Sequence, residues 1–129
     1  MEIALRAALI AWLAADATLA AGLNAVVEEA PSRTSLPWLA IASSASTDWS
    51  CKTATGREVR VALELHCRGD APDTAANLVS AIEARVVSLP REQAGFDIAT
   101  TQFLRARAEQ RADNRRAILL EYRFRLLAD

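Results

Sequence analysis

The sequence predicts an α+β fold: a largely antiparallel sheet of about five strands, with two main helices packed on one face. Three observations carry this. An Ala- and Leu-rich segment opens the chain at helical spacing, a run from Arg57 to Arg68 alternates with period two, and a long alternating hairpin closes it. The order reads helix, three strands, helix, two strands, which stacks helices on one side of a sheet. At 129 residues the chain is expected to be a single domain, residues 1–129.

Residues 2–15 are strong helix formers, and Leu5, Leu9, Trp12 and Leu13 form an apolar stripe. Ile3 and Ile10 fall off that stripe and leave apolar surface for a second contact. Asp16 is placed to cap a short following turn, and Gly22 to end it. Residues 25–29 read as a short strand. After the loop Pro31-Ser32-Arg33-Thr34-Ser35, Pro37 opens a second strand over 38–43 that runs into a Ser/Thr stretch. In the third strand Val59, Val61, Leu63, Leu65 and Cys67 alternate with Glu58, Arg60, Glu64, His66 and Arg68, so one face is buried and the other polar. A helix follows, with Asp70 as expected N-cap, Pro72 in its first turn, Leu78, Val79, Ile82 and Val86 as its apolar face, and Pro90 as its stop.

The closing hairpin spans about 98–111 and 116–127, with turn chemistry at Asp113-Asn114. A two-residue loop would put Arg105 and Arg107 among apolar neighbours. A three-residue loop stacks Ile118, Leu120, Tyr122, Phe124 and Leu126 with Leu104, Ala106 and Ala108, and is expected to set Arg107 opposite Glu121. The second register is preferred, because a slip of one residue inverts every side chain.

Composition bounds the function. The 52% hydrophobic content includes 28 alanines, and aromatics are only 5%, so the core is thin and self-association is plausible. A net charge of −1 gives no strong field for nucleic acid or an anionic membrane. Between Arg105 and Arg125, however, seven arginines face Glu109, Asp113 and Glu121, a local charge of 7 − 3 = +4. Cys51 and Cys67 are too few for a disulfide framework and read as small apolar residues in a reducing compartment. His66 adjoins Cys67 but points to the opposite strand face, which disfavours a metal site. In the apolar stretch 3–23, Arg6 and Asp16 would each cost about 2.5–3.5 kcal/mol at a bilayer centre. The stretch reads as a helix outside the membrane, and the acidic Glu2 is unlike a signal peptide.

Catalytic parts are missing from the pattern. Four glycines at no useful spacing make no phosphate loop, and the one histidine points away from its neighbour Cys67, so nucleophilic catalysis lacks a paired nucleophile and base. Glu28 and Glu29 are neighbours, so on a strand they diverge. The expectation is a non-enzyme with no cofactor and no metal. The segment Thr47-Asp48-Trp49-Ser50-Cys51-Lys52-Thr53 stands out, with two readings: Trp49 folds back over a sheet end, or the loop anchors a partner through Asp48, Trp49 and Lys52. The hairpin arginines Arg105, Arg107, Arg111, Arg115, Arg116, Arg123 and Arg125 admit three readings, in order: contact with acidic residues of a neighbouring subunit, a solvated face that discourages aggregation, and a DNA patch.

These residues resemble the tail-terminator (tail-completion) family of long-tailed phages and gene transfer agents over essentially the whole chain. The resemblance runs through Leu5-Arg6-Ala7-Ala8-Leu9, residues 15–20, Pro37-Trp38-Leu39-Ala40-Ile41, Asp48-Trp49-Ser50-Cys51-Lys52-Thr53, Gly56-Arg57-Glu58 and Tyr122-Arg123-Phe124-Arg125. The Asp-Trp-Ser-x-Lys-Thr stretch is its most distinctive part. Where members often carry an aromatic in the first short strand, this chain has Val26-Val27. The resemblance implies a homo-oligomeric ring, usually a hexamer, on the head-proximal end of the tail tube, at the tail–neck junction of a virion assembled in the bacterial cytoplasm. Implied partners are the tail tube protein and a head connector, adaptor or stopper protein; DNA passes through the lumen without specific binding, and no membrane is involved. A head-closure or head–tail adaptor ring is the nearest alternative, and a small DNA-binding accessory protein a more distant one.

Overall fold

In the computed structural model, which describes all 129 residues, helix α1 (Glu2–Ala14) turns Leu5, Leu9 and Leu13 fully inward. Each buried leucine stabilises the fold by about 1.5–3 kcal/mol over an exposed one. Glu2 sits in the first turn, where a carboxylate suits the helix dipole, and lies 3.6 Å from Arg6 one turn on. The Asp16 carboxylate accepts the Leu19 N–H at 3.0 Å and so starts α2 (Ala17–Gly22) as expected.

Strand β1 is shorter than expected, only Val26–Val27, whereas β2 runs from Trp38 to Asp48 and takes in the whole Ser/Thr stretch. That extension follows from pairing: β2 lies antiparallel to β3 (Gly56–Arg68) along its length, and backbone hydrogen bonds need no apolar side chains. The core residues Val59, Val61, Leu63 and Leu65 lie on one face of β3, as the period-two pattern requires.

Helix α3 (Pro72–Val87) corrects one boundary. Pro72 takes the first helical position, so Ala71 is the N-cap and no side chain caps it; Asp70 instead lies 3.5 Å from Arg68 Nε. Its inward face is Ala75, Leu78, Ile82 and Val86, with Val79 partly buried against the same core. Trp12 joins α1 to α3. Its indole N–H donates to the Arg85 carbonyl at 2.9 Å, Arg85 Nε donates back to the Trp12 carbonyl at 2.8 Å, and the guanidinium lies 3.5 Å from the ring centre.

After Pro90, a two-residue strand β4 (Glu92–Gln93) that the sequence does not announce turns at Gly95 onto β5 (Phe96–Arg111). The hairpin with β6 (Arg115–Ala128) has the three-residue connection 112–114, and Asp113 and Asn114 adopt positive φ. Ala106 and Ala108 share the face of Ile118 and Leu120, as expected, and stand opposite Leu120 and Ile118. Two details differ. Arg105, not Arg107, is opposite Glu121, because a loop over 112–114 pairs residues two positions earlier; Arg107 faces Leu119. Leu104 is the extra residue of a bulge between Phe103 and Arg105, and so leaves the stack and is 36% exposed.

The strands form one six-stranded sheet in the order β1-β2-β3-β6-β5-β4, antiparallel except for β1 beside β2. All three helices pack on one face, over a core that includes Tyr122, Phe124 and Leu126. No helix is long and apolar enough to cross a membrane.

Candidate functional site

The β2–β3 turn is built by its own side chains. The Ser50 hydroxyl lies 2.7 Å from Asp48 Oδ1 and accepts the Gly56 N–H at 2.9 Å, while the Trp49 N–H donates to the Gly56 carbonyl at 3.0 Å. Gly56 is required there, since a Cβ would lie 2.5 Å from the Trp49 carbonyl oxygen and 2.9 Å from that of Leu126. Trp49 is half-buried, with the Arg125 guanidinium 5.4 Å from its ring centre. It therefore folds back onto the end of the sheet. Asp48 and Lys52 are exposed. The exposed Cys51 thiol is shifted down by hydrogen bonds from the Thr53 backbone, the Thr53 hydroxyl and the Ala54 backbone; burial pushes Cys67 up.

On the face without helices, the rungs of the sheet align carboxylates with arginines. Glu58 lies 3.1 Å from Arg125 Nε, 3.8 Å from Arg123 Nε and 4.0 Å from Arg60 Nε. Arg105 pairs with Glu121, raising its own affinity for a proton and holding the Glu121 carboxyl below the usual range through that hydrogen bond. Glu109 takes Arg111 at 2.9 Å and Arg107 at 3.3 Å, and Glu64 lies 3.9 Å from Arg111 and also contacts His66. Of the seven hairpin arginines, then, Arg105, Arg107, Arg111, Arg123 and Arg125 each meet an acid of their own chain, and Arg115 and Arg116 do not. Sequence spacing alone missed Glu58 as the hub, because its three arginines come from three places along two strands.

At one end of the same face Trp38 stacks on His66, ring centres 4.0 Å apart, and both are buried. No three His, Cys, Asp or Glu side chains converge as a metal site. The depressions on the surface are shallow grooves. One of them runs between α3 and β5, lined by Ser80, Glu83, Ala84, Val87, Phe103 and Tyr122. No protein group bonds the buried Tyr122 hydroxyl at its floor. Sequence periodicity missed this groove because Val87 and Phe103 sit at a helix end and beside a bulge.

Residues 7–127 match the family model described as tail completion protein gp17. The chain belongs to that tail completion family. The gp17-type fold is also seen in a solved structure, a chain of the virion of a native gene transfer agent particle. That chain is 25% identical, with a TM-score of 0.83, over 97% of this protein and 96% of that chain. No curated protein matches. This tail completion protein is thus a structural tail component of the phage and gene-transfer-agent type, and the fold expected from the sequence is the fold it has.

Proposed function

We propose that this protein assembles side by side into a ring, a hexamer by family resemblance, that caps the head-proximal end of the tail tube and offers the surface on which the head is joined. The family match across residues 7–127 carries this reading. The likeness to a chain of a gene transfer agent virion supports it, since the work of such a part is docking rather than bond-making. A ring closes through heterologous contacts, each copy using one flank to bind the next copy's other flank. One end of such a collar would match the tube's stacking surface and the other would not, so growth stops there. Its partners would be tail tube protein on one side and a head connector, adaptor or stopper protein on the other, at the tail–neck junction of particles assembled in the bacterial cytoplasm.

The arginine-rich sheet face is suited to a passage that DNA traverses without being held. Its arginines are already engaged by carboxylates of the same chain, which leaves few of them to replace counterions on phosphate. The test is removal of the gene from a producing cell. Overlong tails without heads are expected; tails of ordinary length joined to heads would sink the proposal.

A further inference from the structure

Six strands leave two open edges, and those edges are complementary. On one side β1 covers only Leu39 and Ala40 of β2, so β2 is unpaired outward from Ile41 to Asp48. On the other, β4 covers Phe96 and Asp97 of β5 and the Arg91 carbonyl takes the Ile98 N–H, so β5 is unpaired outward from Ala99. Tracing rungs across the sheet, Ile41 aligns through Leu63 and Leu120 with Ala106, and Asp48 aligns through Arg57 and Leu126 with Ile98. The free stretch of β2 therefore stands at the same height as residues 98–106 of β5. The two strands run in opposite directions, since three antiparallel pairings separate them. Rotation about an axis along the strands brings β5 of one copy beside β2 of the next as an antiparallel pair.

The edges differ in how they are protected. β5 carries Arg105, Arg107 and two bulges, devices that keep an edge from pairing with its own kind. The outer β2 stretch, Ala42-Ser43-Ser44-Ala45-Ser46-Thr47, has a single bulge, at Ala42, and otherwise only small uncharged residues and no proline. Two β5 edges repel, whereas β5 against β2 does not. Charge agrees: Val27 of β1 stands on the rung of Arg107, and Glu28 and the unpaired, exposed Glu29 follow it.

The helical layer repeats the pattern. Arg6 reaches Glu28 and Ser44 at the β1–β2 edge, and Ile3, 73% exposed, shares that flank of α1. At the opposite edge Val87, 61% exposed, and Phe103, 43% exposed, border the groove over Tyr122. The large exposed apolar side chains thus fall at the two flanks that an edge joint would cover.

We infer that the β5 edge and the α3–β5 groove of one copy receive the β2 edge and the Ile3 flank of a second copy of this chain, giving a continuous sheet across the subunit boundary. This rests on the multi-copy reading above and names its contact. The test places cysteines on one rung and one face, Ala45→Cys and Gln102→Cys, in a Cys51→Ser background, with Ser43→Cys and Thr47→Cys replacing Ala45→Cys to sample a slip of two residues. Concentrated protein and assembled particles are oxidised mildly and run under denaturing conditions. One of the pairs should give a ladder of covalent multimers ending in a closed species, and each single-cysteine variant should give none. Ile3→Glu, at a position too exposed to affect folding, should raise the concentration for half-assembly at least tenfold. A multi-copy assembly by mass that yields no ladder from any pair and ignores Ile3→Glu overturns the edge joint and leaves the collar standing. A covalent dimer from Ala45→Cys alone overturns it in favour of β2–β2 pairing. Protein that is monomeric by mass in both settings overturns joint and collar together.

Discussion

Tyr122 carries a buried hydroxyl that no protein group bonds, and its ring packs edge-on to Phe103 at 5.6 Å. Removing only that oxygen, Tyr122→Phe, keeps the ring contacts and relieves the burial of an unsatisfied polar group. Such a group costs about 1–3 kcal/mol, and at the lower end the variant gains about 1 kcal/mol. With an unfolding entropy of about 2.1 cal/mol/K per residue, a chain of this size unfolds with about 270 cal/mol/K, so the midpoint should rise by about 4 °C. Alkali sharpens the test. Burial, and secondarily the charge of Glu83, push the Tyr122 phenol above its ordinary range. Below about pH 10 it is protonated in both states and contributes no pH dependence. Above that, the unfolded chain releases the proton and the folded chain does not, so the parent loses stability as pH rises. Urea unfolding of both proteins from pH 7 to 11 should show the variant ahead at neutral pH, with the gap widening above pH 10. A variant less stable than the parent would mean that the hydroxyl is bonded in the folded protein, and a constant gap that burial does not hold the phenol protonated; either result refutes the argument.

Arg85→Ala removes the hydrogen bond to the Trp12 carbonyl and the stacked cation that tie α1 to α3, and should cost about 1–3 kcal/mol in chemical denaturation. Gly56→Ala drives a Cβ against two backbone carbonyls; a loss of about 2 kcal/mol or more is expected, with strand shifts visible in amide spectra at Trp49 and Leu126. With a disulfide reagent at pH 8, Cys51 should label promptly and Cys67 only on unfolding, because one thiol is exposed and shifted down while the other is buried and shifted up.

Most of the core was legible in the sequence because period and burial coincide. The stripe of Leu5, Leu9 and Leu13, the alternation from Val59 to Cys67 and the hairpin turn at Asp113-Asn114 are each imposed by one repeating face. What failed to show has non-periodic causes. The length of β2 past Ile41 depends on β3 as a backbone partner, since its Ser and Thr residues mark no face. The bulge at Leu104 shifts pairing by one, and no residue type announces it. At the candidate site, the cluster of arginines was visible but its meaning was not: whether Arg105 meets Glu121 or Arg123 meets Glu58 depends on register across strands far apart in sequence. The Asp48 to Gly56 segment stood out as a motif, and the structure explains it as a turn braced by Ser50 and closed on a glycine.

The arginines raise a last question, whether a stretch of local charge +4 grips DNA. Across the helix-free face, from the rung of Thr47 to that of Arg68, the charged side chains are Arg60, Arg68, Arg105, Arg107, Arg111, Arg115, Arg123 and Arg125 against Glu58, Glu64, Glu109 and Glu121, a balance of 8 − 4 = +4, but of the eight only Arg115 lies beside no carboxylate of its own chain. Duplex DNA carries one negative charge per about 1.7 Å, and affinity at physiological salt comes from the arginines or lysines free to displace its counterions. Few are free here, so the isolated protein should bind a random duplex more weakly than micromolar at ordinary salt. Neutralising the carboxylates, in Glu58→Gln with Glu121→Gln, should release Arg105, Arg123 and Arg125 and make binding both tighter and steeply salt-dependent. Fluorescence anisotropy over a salt series reads both effects. Tight, salt-sensitive binding by the parent chain would show that the internal ion pairs do not restrain these arginines, and a passage lined by them would then hold DNA rather than let it through.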